Sequence, residues 1–165
     1  MPRYDCRVDW IGWAIFGFVG TVVLTGFMVF AQLVGWTRMD MPLMLGTMLT
    51  SRIERARVVG VFMHLAAGQG FALLYAVAFW KLGRSGVVLG AAFGLVHGLA
   101  ALTLIVPFLP GIHPRMSSER SGPEIDAVLE PPGLFAVNFG VSTPIVTLIG
   151  HVLFGITLGV LLKPG

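Results

Sequence analysis

The sequence predicts an all-α bundle of four transmembrane helices with one short interfacial helix and a long loop between helices 3 and 4. Three observations carry this. The 165-residue chain is 56% hydrophobic and only 12% charged, about half the charged fraction of a soluble domain. Its mean hydropathy is +0.87. Every Asp, Glu, Lys and Arg lies outside four apolar segments, residues 11–34, 58–80, 87–108 and 143–162. A helix rising ~1.5 Å per residue needs about 20 apolar residues to cross a ~30 Å hydrocarbon core, and each segment is long enough. The ~10-residue alternating pattern of a membrane barrel is absent. So is the surface chemistry of a soluble enzyme, a disordered chain or a disulfide-built secreted domain.

Segment 11–34 reads as a span and not as a cleaved leader, because its apolar run is too long and no small-residue cleavage site follows. Trp10, Trp13, Trp36 and Trp80 stand at span ends, where indole rings meet headgroups. Residues 81–86 are too few to do more than turn the chain, so helices 2 and 3 form an antiparallel hairpin. Pro107 and Pro110 are expected to end helix 3. Ser142 or Thr143 is the expected N-cap of helix 4, with Pro144 in its first turn. The single cysteine, Cys6, rules out an internal disulfide.

Segments 35–57 and 109–142 lie on one side of the membrane. In the first, Met39, Met41, Met44 and Met48 follow or flank a capping Asp40 and precede Arg52, Arg55 and Arg57, which reads as an interfacial helix. In the second, residues 134–140 are apolar but broken by Asn138 and Gly140, and read as a surface or re-entrant piece. Arg3, Arg7, Lys81, Arg84 and Lys163 on one side balance Arg38, Arg52, Arg55, Arg57, Arg115 and Arg120 on the other, so the positive-inside rule leaves orientation nearly even. The expectation adopted is termini in the cytoplasm. The basic pI of 9.6 reflects these flanking charges, which face lipid headgroups and not nucleic acid.

Three of four histidines fall inside spans: His64, His97 and His151. An ionisable residue within a span usually faces the bundle interior. Each lies on or beside a ridge of small residues: Gly60, Gly68, Ala72 and Ala76 around His64; Gly90, Gly94 and Gly98 around His97; Thr147, Gly155 and Gly159 around His151. Such ridges let membrane helices approach closely. Counted from the long-loop side, the three sit at depths of roughly 9, 16 and 12 Å, one common layer. Imidazole is the commonest metal ligand, and thioether sulfur suits cuprous copper. The expected site therefore uses His64, His97 and His151, with His113 and Met116 as outer ligands or a lid and Glu119 nearby. Its ligand would be a copper, zinc or iron ion, or a haem held by His97 and His151. Gln69, Thr147 and Asn138 are candidate partners for the ligands' second nitrogens. No catalytic set is present: there is no intramembrane carboxylate, no Ser/His/Asp set, no HExxH and no haem-attachment motif.

A recurring set of short motifs remains: Asp40-Met41-Pro42-Leu43 with Leu45-Gly46-Thr47, Arg55-Ala56-Arg57 with His64, Gly94-Leu95-Val96-His97-Gly98, His113-Pro114-Arg115-Met116, Pro131-Pro132-Gly133, Asn138 with Gly140, Thr143-Pro144 and Gly150-His151. As a set they resemble an uncharacterised family of small four-span bacterial integral membrane proteins, covering most of the chain from Asp40 onwards. The resemblance implies the bacterial inner membrane and no particular chemistry. Two functions follow as expectations: metal handling or electron transfer at a histidine-lined intramembrane site, or service as an accessory subunit of a respiratory or photosynthetic complex, with structural histidines. Partners would be the bilayer and, for the second reading, other subunits or a second copy.

Overall fold

The computed structural model describes residues 8–117 and 129–164. Cys6, Arg3, Arg7, Glu119 and Arg120 lie outside them. The described residues form an all-α bundle without strands. The helices are α1 (Trp10–Leu33), α2 (Met41–Thr47), α3 (Ile53–Leu82), α4 (Val87–Ala100), α5 (Leu109–Ile112) and α6 (Thr143–Leu161). Four helical stretches are long and apolar enough to cross a membrane: α1, α3, the continuous run Val87–Ile112, and α6. The chain is a multi-pass membrane protein.

Helix ends follow local chemistry. The Asp9 carboxylate accepts from the Gly12 N–H at 2.7 Å and opens α1. Asp40 accepts from the Leu43 N–H at 2.9 Å and opens α2, the side-chain cap that orphan N–H groups require. α3 stops at Gly83, whose left-handed φ of 62° costs glycine little. α3 begins at Ile53, a turn earlier than its apolar run, so Arg55 and Arg57 belong to the helix.

Two expected ends come out differently. The third span runs on through Pro107 and Pro110 and does not end there. After Ala100 the helix widens to a π-turn at Ala101–Ile105 and tightens to a 3-10 turn at Val106–Phe108 before α5. Proline has no N–H to give, and its ring crowds the carbonyl four residues back. Widening the preceding turn spreads that strain, as π-bulges commonly do. Nor does Ser142 cap α6 with its side chain; its hydroxyl donates to the Trp36 carbonyl in the α1–α2 link instead.

Lipid tails are as apolar as leucine, so helices in a bilayer associate through close packing. Here glycine supplies it. An added Cβ at Gly90 or Gly94 would strike the carbonyls of Gly155 and His151, and one at Gly155 would strike that of Gly90. α4 is thus seated backbone-on-backbone against α6. α6 in turn packs on α1, where Gly20 faces Phe154 and Leu158. α1 packs on α3, where Gly68 faces Thr21 and Gly17 faces Ala72 and Gln69. α2 folds back onto the start of α3, with Gly60 under the Pro42 carbonyl and Gly46 under that of Ala56.

The α3–α4 hairpin, by contrast, does not close backbone to backbone. Aromatic rings fill the seam: Phe79 stacks on Phe93 at 5.5 Å, Tyr75 meets Phe93 edge-on at 5.7 Å, and Phe71 lies 4.0 Å from the His97 ring.

On the long-loop side a second core gathers Met39, Met44, Leu102, Val106, Leu109, Met116, Ala136 and Phe139. The apolar piece after Pro131-Pro132-Gly133 is a 3-10 turn, Leu134–Phe139, in which Phe135 and Ala136 are left-handed at φ 52° and 61°. Non-glycine residues rarely adopt that region. Surrounding bonds hold it: Asn138 donates from its backbone to Pro132 and from its side chain to Pro131, Arg38 N–H donates to the Phe139 carbonyl at 2.7 Å, and Thr37 and Thr143 hydroxyls pair at 2.8 Å. Arg38 also pairs with Glu130 at 2.8 Å.

Candidate functional site

A partly open cavity of about 150 Å³ lies between the helices toward the long-loop side. His64 enters its wall from α3, His97 from α4 and His151 from α6, so all three intramembrane histidines face one space. Met28, Met39 and Met41 line it too. The remaining wall is mostly apolar, with Thr21, Thr25, Gln32 and Thr147 as its other polar side chains.

His97 and His151 are brought together because Gly94 and Gly98 let α4 lie directly on α6 beneath them. Their ring centroids are 4.6 Å apart with planes at 83°. His151 uses Nδ1 to reach the Thr147 carbonyl, one turn back, at 2.8 Å. A carbonyl only accepts, so Nδ1 carries the proton and Nε2 holds a lone pair. His97 rests on Phe71, and its Nδ1 lies 3.4 Å from the Tyr75 hydroxyl. The Nε2 atoms of both rings have no hydrogen-bond partner among the described residues. Thr147 serves a second time: its hydroxyl donates to the Met39 sulfur at 3.9 Å. Gln32 fixes Met39 further by donating to its carbonyl at 2.7 Å. His64 makes no hydrogen bond to the described residues. Among the described residues, no three His, Cys, Asp or Glu side chains converge closely enough to hold a metal ion.

His113 and Met116 do not line this cavity. His113 is buried on the loop side, and both its ring nitrogens are in use. The Arg115 N–H donates to Nδ1 at 3.1 Å, which puts the ring proton on Nε2; Nε2 donates to the Met44 carbonyl at 2.9 Å and lies 3.3 Å from the Thr47 hydroxyl. The Arg115 guanidinium donates to the Thr47 carbonyl at 2.8 Å and the Met48 carbonyl at 3.3 Å. These are last-turn carbonyls of α2, which have no partner within the helix. The His-Pro-Arg-Met segment is therefore a cap for α2, and Met116 packs beside it in the loop-side core.

Of the candidate partners for the ligands' second nitrogens, Thr147 takes that place, through its backbone. Asn138 is spent on Pro131. Gln69 donates to the Ala14 carbonyl and accepts the Trp13 indole N–H on its own carbonyl, while its side-chain oxygen is buried without a partner. Tyr75, the partner of His97, is a residue that sequence reasoning missed. Its signal was present, since Phe71, Tyr75 and Phe79 recur every four residues and so share one face of α3.

A scan against protein-family models, a search of curated proteins and a search of solved structures each found no match.

Proposed function

We propose that this membrane protein binds a soft transition-metal ion, monovalent copper, in the histidine-lined cavity and serves in metal handling or electron transfer. The observation that carries the reading is the wall itself: three histidines and three methionines line one small space in a mostly apolar surface. Imidazole with thioether is the donor set that favours cuprous copper, whereas zinc and iron gain little from thioether sulfur. His97 and His151 are the central ligands, each with a partner at Nδ1, the arrangement that orients a ligating imidazole. Met39, Met28, Met41 and His64 offer the remaining donors. Two rings 4.6 Å apart sit too close for a haem between them, since two axial bonds of ~2 Å would hold the ring centres roughly 6 Å apart. His113 and Met116 stand outside the proposal. The resemblance to bacterial four-span proteins supports a place in the bacterial cytoplasmic membrane.

Titration of the purified protein in nanodiscs with Cu(I), against a chelating dye, tests this. One equivalent is expected to bind, and His97→Ala and His151→Ala are each expected to lose it. The rival reading, an accessory subunit with structural histidines, requires wild type and both variants to take up equally little metal.

A further inference from the structure

The cavity has a closed end and an open one. At the closed end its lining residues Met39, Thr147 and Phe154 are buried. Toward the other, Ala67 on α3 and Ile105 in the π-turn line it and are exposed, as is Val29 on α1. All three lie inside the spans, where the surrounding medium is hydrocarbon. The opening beside Ala67 has a cause in the sequence. Phe71, Tyr75 and Phe79 recur every four residues on α3, and their rings fill the seam with the third span. The next position on that face toward the long-loop side is Ala67. The two helices run antiparallel and Phe71 meets His97, so one turn further on Ala67 stands across from Ala101, the first residue of the π-turn. Two methyl groups are left where rings close the seam elsewhere.

Atoms that face a gap lose their dispersion partners on that side. At this depth only a lipid tail can supply them, since the core of a bilayer holds no water. Charge selects the lipid. The helix that carries Ala67 starts with exposed Arg52, Arg55 and Arg57, and Glu54 is the one acid among them. These arginines stand ten to fifteen residues before Ala67, roughly 15–22 Å along the helix. Half of a ~30 Å hydrocarbon core is ~15 Å, so a headgroup at the arginines leaves the middle of its tail at Ala67. Guanidinium and phosphate form charge-assisted hydrogen bonds.

We propose that an anionic phospholipid of the long-loop leaflet is held here, its phosphate at Arg52, Arg55 and Arg57 and one acyl chain entering the cavity between Ala67 and Ile105. The chain occupies the outer part of the cavity and leaves the closed end behind it. This holds whether or not the closed end takes a metal.

Phosphatidylglycerol with a mid-chain diazirine, photolysed with the wild-type protein in nanodiscs, tests the occupant. Adducts are expected to concentrate on Ala67, Phe71, Ala101 and Ile105 over Phe62 and Leu104, which are exposed on the outer faces of the same two spans. An even spread over both sets would overturn the proposal. Phosphatidylcholine bearing the same chain is expected to give a lower yield at Ala67, and equal yields would overturn the anionic assignment. Each arginine replaced by Gln is expected to cut the preference for phosphatidylglycerol by up to about fivefold. Ala67→Phe extends the ring series into the opening and is expected to abolish the adducts on Ile105, whereas Ala66→Phe, at an exposed position, is expected to keep them. Wild-type adducts persisting in a folded Ala67→Phe protein would also overturn it. Should Ala67→Phe fail to fold, the wild-type adduct map decides by itself.

Discussion

The loop-side histidine and the membrane-buried pair hold the same imidazole in opposite conditions. His113 is enclosed by backbone groups that use both nitrogens: an amide N–H on one side, a helix-terminal carbonyl on the other. Nothing is left over for a ligand. His97 and His151 each spend one nitrogen on the protein and turn a cavity-lining ring toward its neighbour. What separates the committed histidine from the other two is how many ring nitrogens have a protein partner. His113 is the more buried of the two kinds, yet it is the one committed to holding up a helix.

The sharpest way to break the comparison is to remove the scaffold under the pair. Gly94→Leu would drive a side chain into the His151 carbonyl and force α4 off α6. Overpacking of this kind costs about 1–3 kcal/mol or more, so loss of the compact detergent-solubilised form in thermal unfolding is the expected result, with loss of Cu(I) binding. Next in size is a paired comparison. His113→Ala leaves the Arg115 N–H without its partner and takes one of two donors from the Met44 carbonyl, at about 2 kcal/mol; a lower melting temperature with Cu(I) affinity retained is expected. His97→Ala should lose binding altogether, along with some melting temperature, since it strips the Tyr75 hydroxyl of its partner and leaves space beside Phe71. Equal effects of the two on affinity would erase the distinction drawn between them. Arg115→Ala should resemble His113→Ala, since it uncaps the same end of α2.

Smaller still is Asp40→Ala. It removes the cap at the other end of α2 and costs about 1 kcal/mol, readable as faster backbone hydrogen exchange in residues 41–47. Last, and opposite in sign, is Phe135→Gly, whose net gain is cut by glycine's own entropy cost. A left-handed non-glycine residue costs roughly 1–2 kcal/mol, and the Phe135 ring is 39% exposed, so a rise in melting temperature of a few degrees is expected.

The spans were legible because a charge left in lipid is expensive and composition records that cost residue by residue. The gathering of His64, His97 and His151 around one cavity was legible for a related reason: glycine at Gly94 and Gly155 marks which helix face meets another. The role of His113-Pro114-Arg115-Met116 was not. Spacing can flag a histidine beside a methionine, but His113 reaches the carbonyl of Met44 and Arg115 those of Thr47 and Met48, some 70 residues earlier. Unpaired carbonyls carry no residue type and leave no trace in a sequence. The same holds for the wide turn before Pro107. A proline advertises trouble for a helix, and only the surrounding packing decides whether the helix stops or absorbs it. The α3–α4 seam was hidden because a short connection fixes direction and proximity but not what stands between two helices.

That ring-filled seam divides the three intramembrane histidines unequally. His97 and His151 ride on two rods touching along glycine, whose spacing has almost no play. His64 hangs on α3, tied to those rods through α1, a sparse contact with α6 and a cushion of side chains. If the protein breathes in the bilayer, the yielding coordinate is the gap between His64 and the other two, while the gauge of the inner pair stays constant.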